Sequence, residues 1–347
     1  MKITKKILAH LTKCYSIAPL TYRGKQHFLV AAEKVDRCIL FDTDGNPVDT
    51  VWSEPGGVMT MVQVPESDGA FLATHRFYSP NDSAQAKIVM AEPNPGGWAV
   101  RTLADLPFVH RFDILQANGR RYLIACTLKS AHAFRDDWSS PGKVYAAELP
   151  GDLAPYGESR QLPLTVIADG LTKNHGCYRI VRDGRDSCLI SAQNGVFRFF
   201  PPENAGASWR IEQLLDMPAS DAVLVDLDGD GEDELAVIEP FHGDTVRFYH
   251  AGNSGWRAVY AYEQAEFAHA IFGGTLLNTP AVLIGHRKGA RDLLLLQYDK
   301  SAGAYTRTVL DHDVGPANVY CFRKNGADII VSANREIDEV AMYTLTD

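Results

Sequence analysis

The stretch ASDAVLVDLDGDGEDELAVIEPFHGDTVRFY, residues 219–249, sets two apolar runs on either side of an acidic, glycine-rich turn. "DAVLV" and "ELAVIE" are short and β-branched, so they read as two strands of a hairpin rather than as helices. In the turn, Asp226, Asp228 and Asp230 alternate along a chain kept tight by Gly229 and Gly231, and Glu234 follows. Carboxylates aimed at one point repel one another unless a hard cation with oxygen ligands joins them, and calcium is the expected ion. An EF-hand is excluded: its loop needs a Glu at the twelfth position, and the twelfth residue counted from Asp226 is Val237. The competing reading is a solvated acidic turn that its glycines alone would close.

The same unit recurs along the chain: a polar residue, a strand, a turn, a second strand ending in small or polar residues, a third strand, and an exposed fourth. Clear copies are "FVHRFDILQANGRRYLIACTLKS" from 108, "KNHGCYRIVRDGRDSCLISAQNGVFRF" from 173, "FAHAIFGGTLLNTPAVLIGHRKGARDLLLLQY" from 267 and "ANVYCFRKNGADIIVSANREIDEVAMY" from 317, with weaker ones from 11 and 58. Aligning Thr12, Met59, His110, His175, Asp221, His269 and Val319 spaces the copies 46 to 51 residues apart, except for a 65-residue step from His110 to His175. Four strands and their turns need about that many residues, so each copy is one blade of an all-β, seven-bladed propeller. Residues 1–347 then form one domain. The last copy holds only three strands, while "TKKILAH" (4–10) resembles "TRTVLDH" (306–312). An N-terminal strand over 3–9 is therefore expected to complete the last blade. The surplus of the third blade falls in "SAHAFRDDWSSPG" (130–142), a long polar loop of the kind used as a lid or left disordered.

A net charge of −9 and a pI of 5.7, with no basic run, argue against a nucleic-acid or anionic-membrane partner. Lys2, Lys5, Lys6, His10 and Lys13 interrupt what would have to be the apolar core of a secretion signal. The six cysteines show no CxxC or zinc-ribbon spacing. Reduced thiols in a cytoplasmic protein are expected. The oligomeric state is not legible.

In a propeller the first strand of each blade lines the central channel. Its entry carries His110, His175, Asp221 and His269 from consecutive blades, and Asn318 from the last. Loops between second and third strands open on the same face and bring His75, Arg76, Lys129, Gln193, Asn194, Glu239, His242, Arg287 and Arg335. A lone strand histidine is commonly structural; three at one repeat position point to a site. Imidazoles converging with a carboxylate suit zinc or manganese with an open coordination position. A metal-free His and Arg pocket for a sugar or carboxylate is a second reading, and a water-filled channel without chemistry a third. If the site is catalytic, His242 or Glu239 would be the base and the other the acid. Lys129, Arg287 and Arg335 would hold substrate oxygens, with His75, Arg76, Gln193, Asn194, Asn318 and Trp138 lining the substrate.

The segments "VHRFDIL…LIAC", "NHG…LISAQNGV", "AVIEPFHGDTVRFY" and "AHAIFGG…VLIGHR", together with the acidic turn, carry a family likeness. The chain resembles the FG-GAP/VCBS type of seven-bladed propeller, and within it the aldos-2-ulose dehydratase-like group. The resemblance implies an enzyme that eliminates water from an oxidised sugar with divalent metal ions bound, and it marks His110, His175, Glu239, His242 and His269 as active-site positions. A metal-dependent lyase, dehydratase or isomerase acting beside the carbonyl of a keto-sugar or uronate is thus expected, with a small carbohydrate as partner. The alternative is a non-catalytic, calcium-stabilised propeller that binds a carbohydrate or a protein.

Overall fold

The computed structural model describes residues 1–346 except 183, 205, 253 and 254. Its strands form seven four-stranded antiparallel sheets, and the single helical element among the described residues is the short 3-10 turn Arg335–Ile337. Six sheets take four consecutive strands each. The seventh combines the last three strands with the first, Lys2–His10, which pairs with Glu339–Thr346 from Lys2 opposite Thr346 to His10 opposite Glu339. The chain thus closes its ring with its own N-terminal strand. Lys5 pins that strand, reaching Asp311 of the sixth blade and Glu339 of the seventh at 2.8 Å each.

Burial follows strand position. Second strands such as Glu234–Glu239 are buried on both faces, whereas outer strands such as Ala304–Asp311 are largely exposed. The core lies between neighbouring blades: Leu29 and Leu40 of the first meet Phe71 and Val89 of the second. Phe28 and Phe41 of the first meet Ile329 and Val331 of the seventh. Each such side chain contributes about 1.5–3 kcal/mol by leaving water, so the interblade seams hold the ring together. No helix is long and apolar enough to cross a membrane among the described residues.

The inner strands are Cys14–Tyr22, Met61–Gln63, Val109–Ala117, Gly176–Arg182, Asp221–Val225, Ala268–Leu276 and Pro316–Lys324. Each touches the next, and the last returns to the first. Four of them begin with a register shift that leaves Tyr15, His110, His269 and Ala317 without a partner across the ladder. This corrects the alignment of the repeat. Tyr15, not Thr12, and Ala317, not Val319, correspond to the histidine positions.

Candidate active site at the channel mouth

The extra residue of a β-bulge has no cross-strand partner and re-aims its side chain, here toward the mouth of the channel. Tyr15, His110 and His269 stand at such bulges. His175 and Ser220 precede Gly176 and Asp221 at corresponding points. A chain of hydrogen bonds then links blade to blade. Thr60 donates its hydroxyl to the carbonyl of His110 at 3.2 Å, and His110 Nδ1 donates to the carbonyl of His175 at 3.3 Å. His175 Nδ1 donates to Asp221 Oδ2 at 2.8 Å, with the Ser220 carbonyl at 3.2 Å. His269 Nδ1 donates to the carbonyl of Ala317 at 2.8 Å. Carbonyls and carboxylates only accept, so each Nδ1 carries a hydrogen and each Nε2 is the nitrogen turned away from these partners.

His175, His242 and His269 bring ring nitrogens within 4.8 Å of one another. The Nε2 atoms of His175 and His242 are 3.3 Å apart. Two nitrogen ligands on a tetrahedral zinc stand about 3.3 Å apart, given bonds of about 2.0–2.1 Å. His242 has a left-handed backbone, φ 50°, and its ring lies between Phe241 at 3.9 Å and Phe267 at 4.4 Å. The Tyr15 hydroxyl donates to His269 Nε2 at 2.9 Å and stands 3.5 Å from His110 Nε2.

Burial, reinforced by neighbouring positive groups, holds His110, His242 and His269 well below the usual imidazole range; for His269 the foremost neighbour is Arg287. They are neutral at pH 7, the form a metal requires. Burial also pushes the Tyr15 hydroxyl up to about 12, so it keeps its proton. Asp221 reaches the far nitrogen of His175 rather than the Nε2 cluster, the position of a partner that orients a ligand. The His110 Nε2 faces Tyr15 and lies outside the three-nitrogen set.

The long loop lays Trp138 edge-on against Phe241 at 5.5 Å. Lys129, fully buried, crosses the Trp138 ring at 4.1 Å and donates to the carbonyl of Asp137 at 2.7 Å. Lys173 lies 5.5 Å from the Phe241 ring, and Arg287 covers Phe267 at 4.7 Å while pairing with Glu336 at 2.8 Å. Trp138, Lys129 and Arg287 thus join the histidine face. Other expected residues spend their groups elsewhere. Glu239 accepts from Tyr249 at 2.5 Å and from Arg247 at 3.0 Å. Arg335 clamps Glu33 and Glu336. Asn318 accepts from the amide of Val319 at 3.1 Å, and Asn194 from that of Thr172 at 2.9 Å. The Gln193 side-chain oxygen is buried without a partner. His75 packs on Trp52 at 4.7 Å, lowered to about 3 by burial, and with Arg76 borders a separate cavity of about 270 Å³. Tyr15, Arg111, Phe241 and Phe267 are members of the site that strand patterning did not reveal.

The acidic turn closes on itself. Asp226 accepts from the amides of Gly229 and Gly231 at 2.7 and 3.1 Å, Asp228 from that of Asp230 at 3.1 Å, and Asp230 from that of Glu232 at 2.9 Å. Gly229 and Gly231 supply the positive φ, 74° and 99°, that the turn demands. Asp226, Asp228 and Asp230 still offer oxygens within 4.8 Å of one another. Glu234, fully buried, accepts from Leu227 at 2.7 Å and His250 at 2.8 Å, and with Asp228 and His250 it forms a second set whose ligand atoms lie within 4.8 Å of one another.

Along the inner strand from His110, burial first, and then Cys177 and Asp186, raise Asp113 to about 7, against the pull of Arg179. Folded Asp113 therefore binds a proton that the unfolded chain releases near pH 4, and stability falls as pH rises from about 4 to about 7. Asp113→Asn is expected to raise the Tm at pH 8 by a few degrees and to leave it nearly unchanged at pH 4. Melting curves of both proteins against pH check this; parallel curves would refute it.

No family model matches the chain, and no curated protein matches it in sequence. Solved structures match its fold. The β-propeller domain of Myceliophteria thermophila Cps50 (Swd1) aligns with a TM-score of 0.62 at 8% identity, over 99% of this chain and 100% of that one. A streptogramin B lyase aligns with a TM-score of 0.57 at 14% identity, over 99% and 98%. A 6-phosphogluconolactonase-like protein from Bacteroides uniformis aligns with a TM-score of 0.57 at 12% identity, over 97% and 93%. At these identities the likeness is one of fold.

Proposed function

We propose that the channel mouth is the active site of a metal-assisted enzyme, a lyase of the dehydratase type or an isomerase, that removes a proton beside a carbonyl of a small carbohydrate. The observation that carries this reading is the convergence of His175, His242 and His269 with the outer nitrogens of His175 and His269 held by Asp221 and Ala317. The blade signatures that resemble the aldos-2-ulose dehydratase-like group favour the same chemistry, and a lyase is among the proteins that share the fold. A divalent zinc or manganese ion on the three imidazoles would supply Lewis acidity toward a carbonyl oxygen.

Distance supports giving His242 to the metal set and proton transfer to His110 and Tyr15, which face each other at 3.5 Å. In a dehydration the C–H pair of electrons forms the new C=C bond while its proton passes to His110 Nε2. The C–O bond breaks, and the departing hydroxyl takes the Tyr15 proton and leaves as water. His110 then returns its proton to Tyr15, which restores both groups. Trp138 and Phe241 offer apolar faces to a sugar ring, and Lys129 and Lys173 make that face cationic. The experiment is a screen of keto-sugars and uronates for unsaturated or isomerised products. Turnover by wild type that a metal-free preparation lacks supports the proposal, and binding without turnover under every metal tested would leave the carbohydrate-binding module.

Calcium on Asp226, Asp228 and Asp230 is a separate proposal about stability. At a hundredfold excess over its Kd, a ligand of the native state adds about 2.7 kcal/mol, so calcium is expected to raise the Tm by several degrees. Asp228→Asn should abolish the shift. An equal Tm in calcium and in chelator would refute it.

A further inference from the structure

One arginine at the site has no ion-pair partner among the described residues. Arg111 follows His110 on the inner strand, and its guanidinium lies 5.9 Å from the centre of the Tyr15 ring. Its Nε is withdrawn from water without an acceptor, and among the described residues the Arg111 side chain forms no ion pair or hydrogen bond. The neighbouring arginines differ in having ion pairs: Arg179, whose Nε is likewise buried without an acceptor, holds Asp186 at 2.7 Å, and Arg287 holds Glu336 at 2.8 Å. Arg111 as a whole is only half-buried, so a guanidinium without a partner in the fold stays within reach of an anion.

We infer that Arg111 is the anchor for a carboxylate, so that the channel takes a small sugar acid in preference to a neutral sugar. This rests on the reading of the mouth as a substrate site. The guanidinium fork matches a planar carboxylate with two parallel hydrogen bonds, and one positive charge meets one negative charge. With its carboxylate on Arg111, a sugar acid would present its neighbouring carbons to Tyr15 and the imidazoles. The role is therefore one of specificity.

The test is calorimetric titration with glucuronate, galacturonate, glucose and glucose 6-phosphate against wild type, Arg111→Gln and Arg111→Lys, with metal content and Tm measured on the same preparations. Wild type is expected to bind one of the uronates at least tenfold more tightly than glucose or glucose 6-phosphate. Arg111→Gln should lose that affinity ten- to a hundredfold with metal content and Tm unchanged, and Arg111→Lys should retain part of it. Equal uronate binding by wild type and Arg111→Gln would overturn the inference, as would a preference for glucose or glucose 6-phosphate, or no uronate binding at all. The metal content separates the two readings. Metal without uronate binding sinks only the carboxylate anchor, whereas Arg111-dependent uronate binding by a protein that takes up no metal sinks only the metal-assisted mechanism.

Discussion

Stripped with a chelator and returned to zinc or manganese, the protein is expected to take up one ion per chain, and His175→Ala or His269→Ala to take up none. Three imidazole nitrogens already lie within 4.8 Å of one another, so uptake requires small shifts rather than refolding. The Tyr15 hydroxyl must release His269 Nε2, which it now engages at 2.9 Å. Tyr15→Phe is therefore expected to take up metal at least as well as wild type. Asp221→Asn keeps the three ligands but weakens the partner that orients His175, and should lower affinity about 10- to 100-fold. His110→Ala leaves the set intact and should load fully. Elemental analysis after dialysis reads all of these, and the Tm of each metal-free variant, expected within a few degrees of wild type, guards against misfolding. Metal in His175→Ala and His269→Ala equal to that in wild type would place the ion elsewhere.

The second large effect is on turnover. Once a keto-sugar or uronate substrate is found, His110→Ala and Tyr15→Phe are each expected to lower kcat about a hundred- to ten-thousandfold, the usual share of a positioned proton-transfer group, while metal content stays at the wild-type level. Loss of metal and loss of proton transfer are thus carried by different residues, and the two measurements together distinguish them. If His242→Ala lowered kcat with full metal retention while His110→Ala did nothing, His242 would be the base and His110 a structural residue. Glu239 enters neither set, because Tyr249 and Arg247 hold its oxygens; Glu239→Gln should act on stability and leave kcat within about tenfold.

Strand periodicity, turn glycines and the spacing of the copies were sufficient for the ring of seven blades, because each depends on neighbours along the chain. The N-terminal strand was legible for the same reason, as an orphan with the pattern of a missing fourth strand. His110, His175 and His269 stood out as one residue type at one repeat position. Tyr15 did not, since it is a different residue type in a weak copy of the repeat, three residues beyond the Thr12 that simple alignment selects, and only the bulge it shares with His110 and His269 marks it as equivalent. Arg111 looked like any charged residue in an alternating strand, and its meaning lies in lacking a partner. His242 and Glu239, three residues apart in sequence, go to different neighbours, one to His175 and the other to Tyr249 and Arg247. The amino-acid sequence alone determined the architecture, because hydrophobic alternation and turn chemistry are local. Only the tertiary structure decided which nitrogens meet and which charge is left unpaired, because those depend on distances between side chains that the ring brings together from blades far apart in the chain.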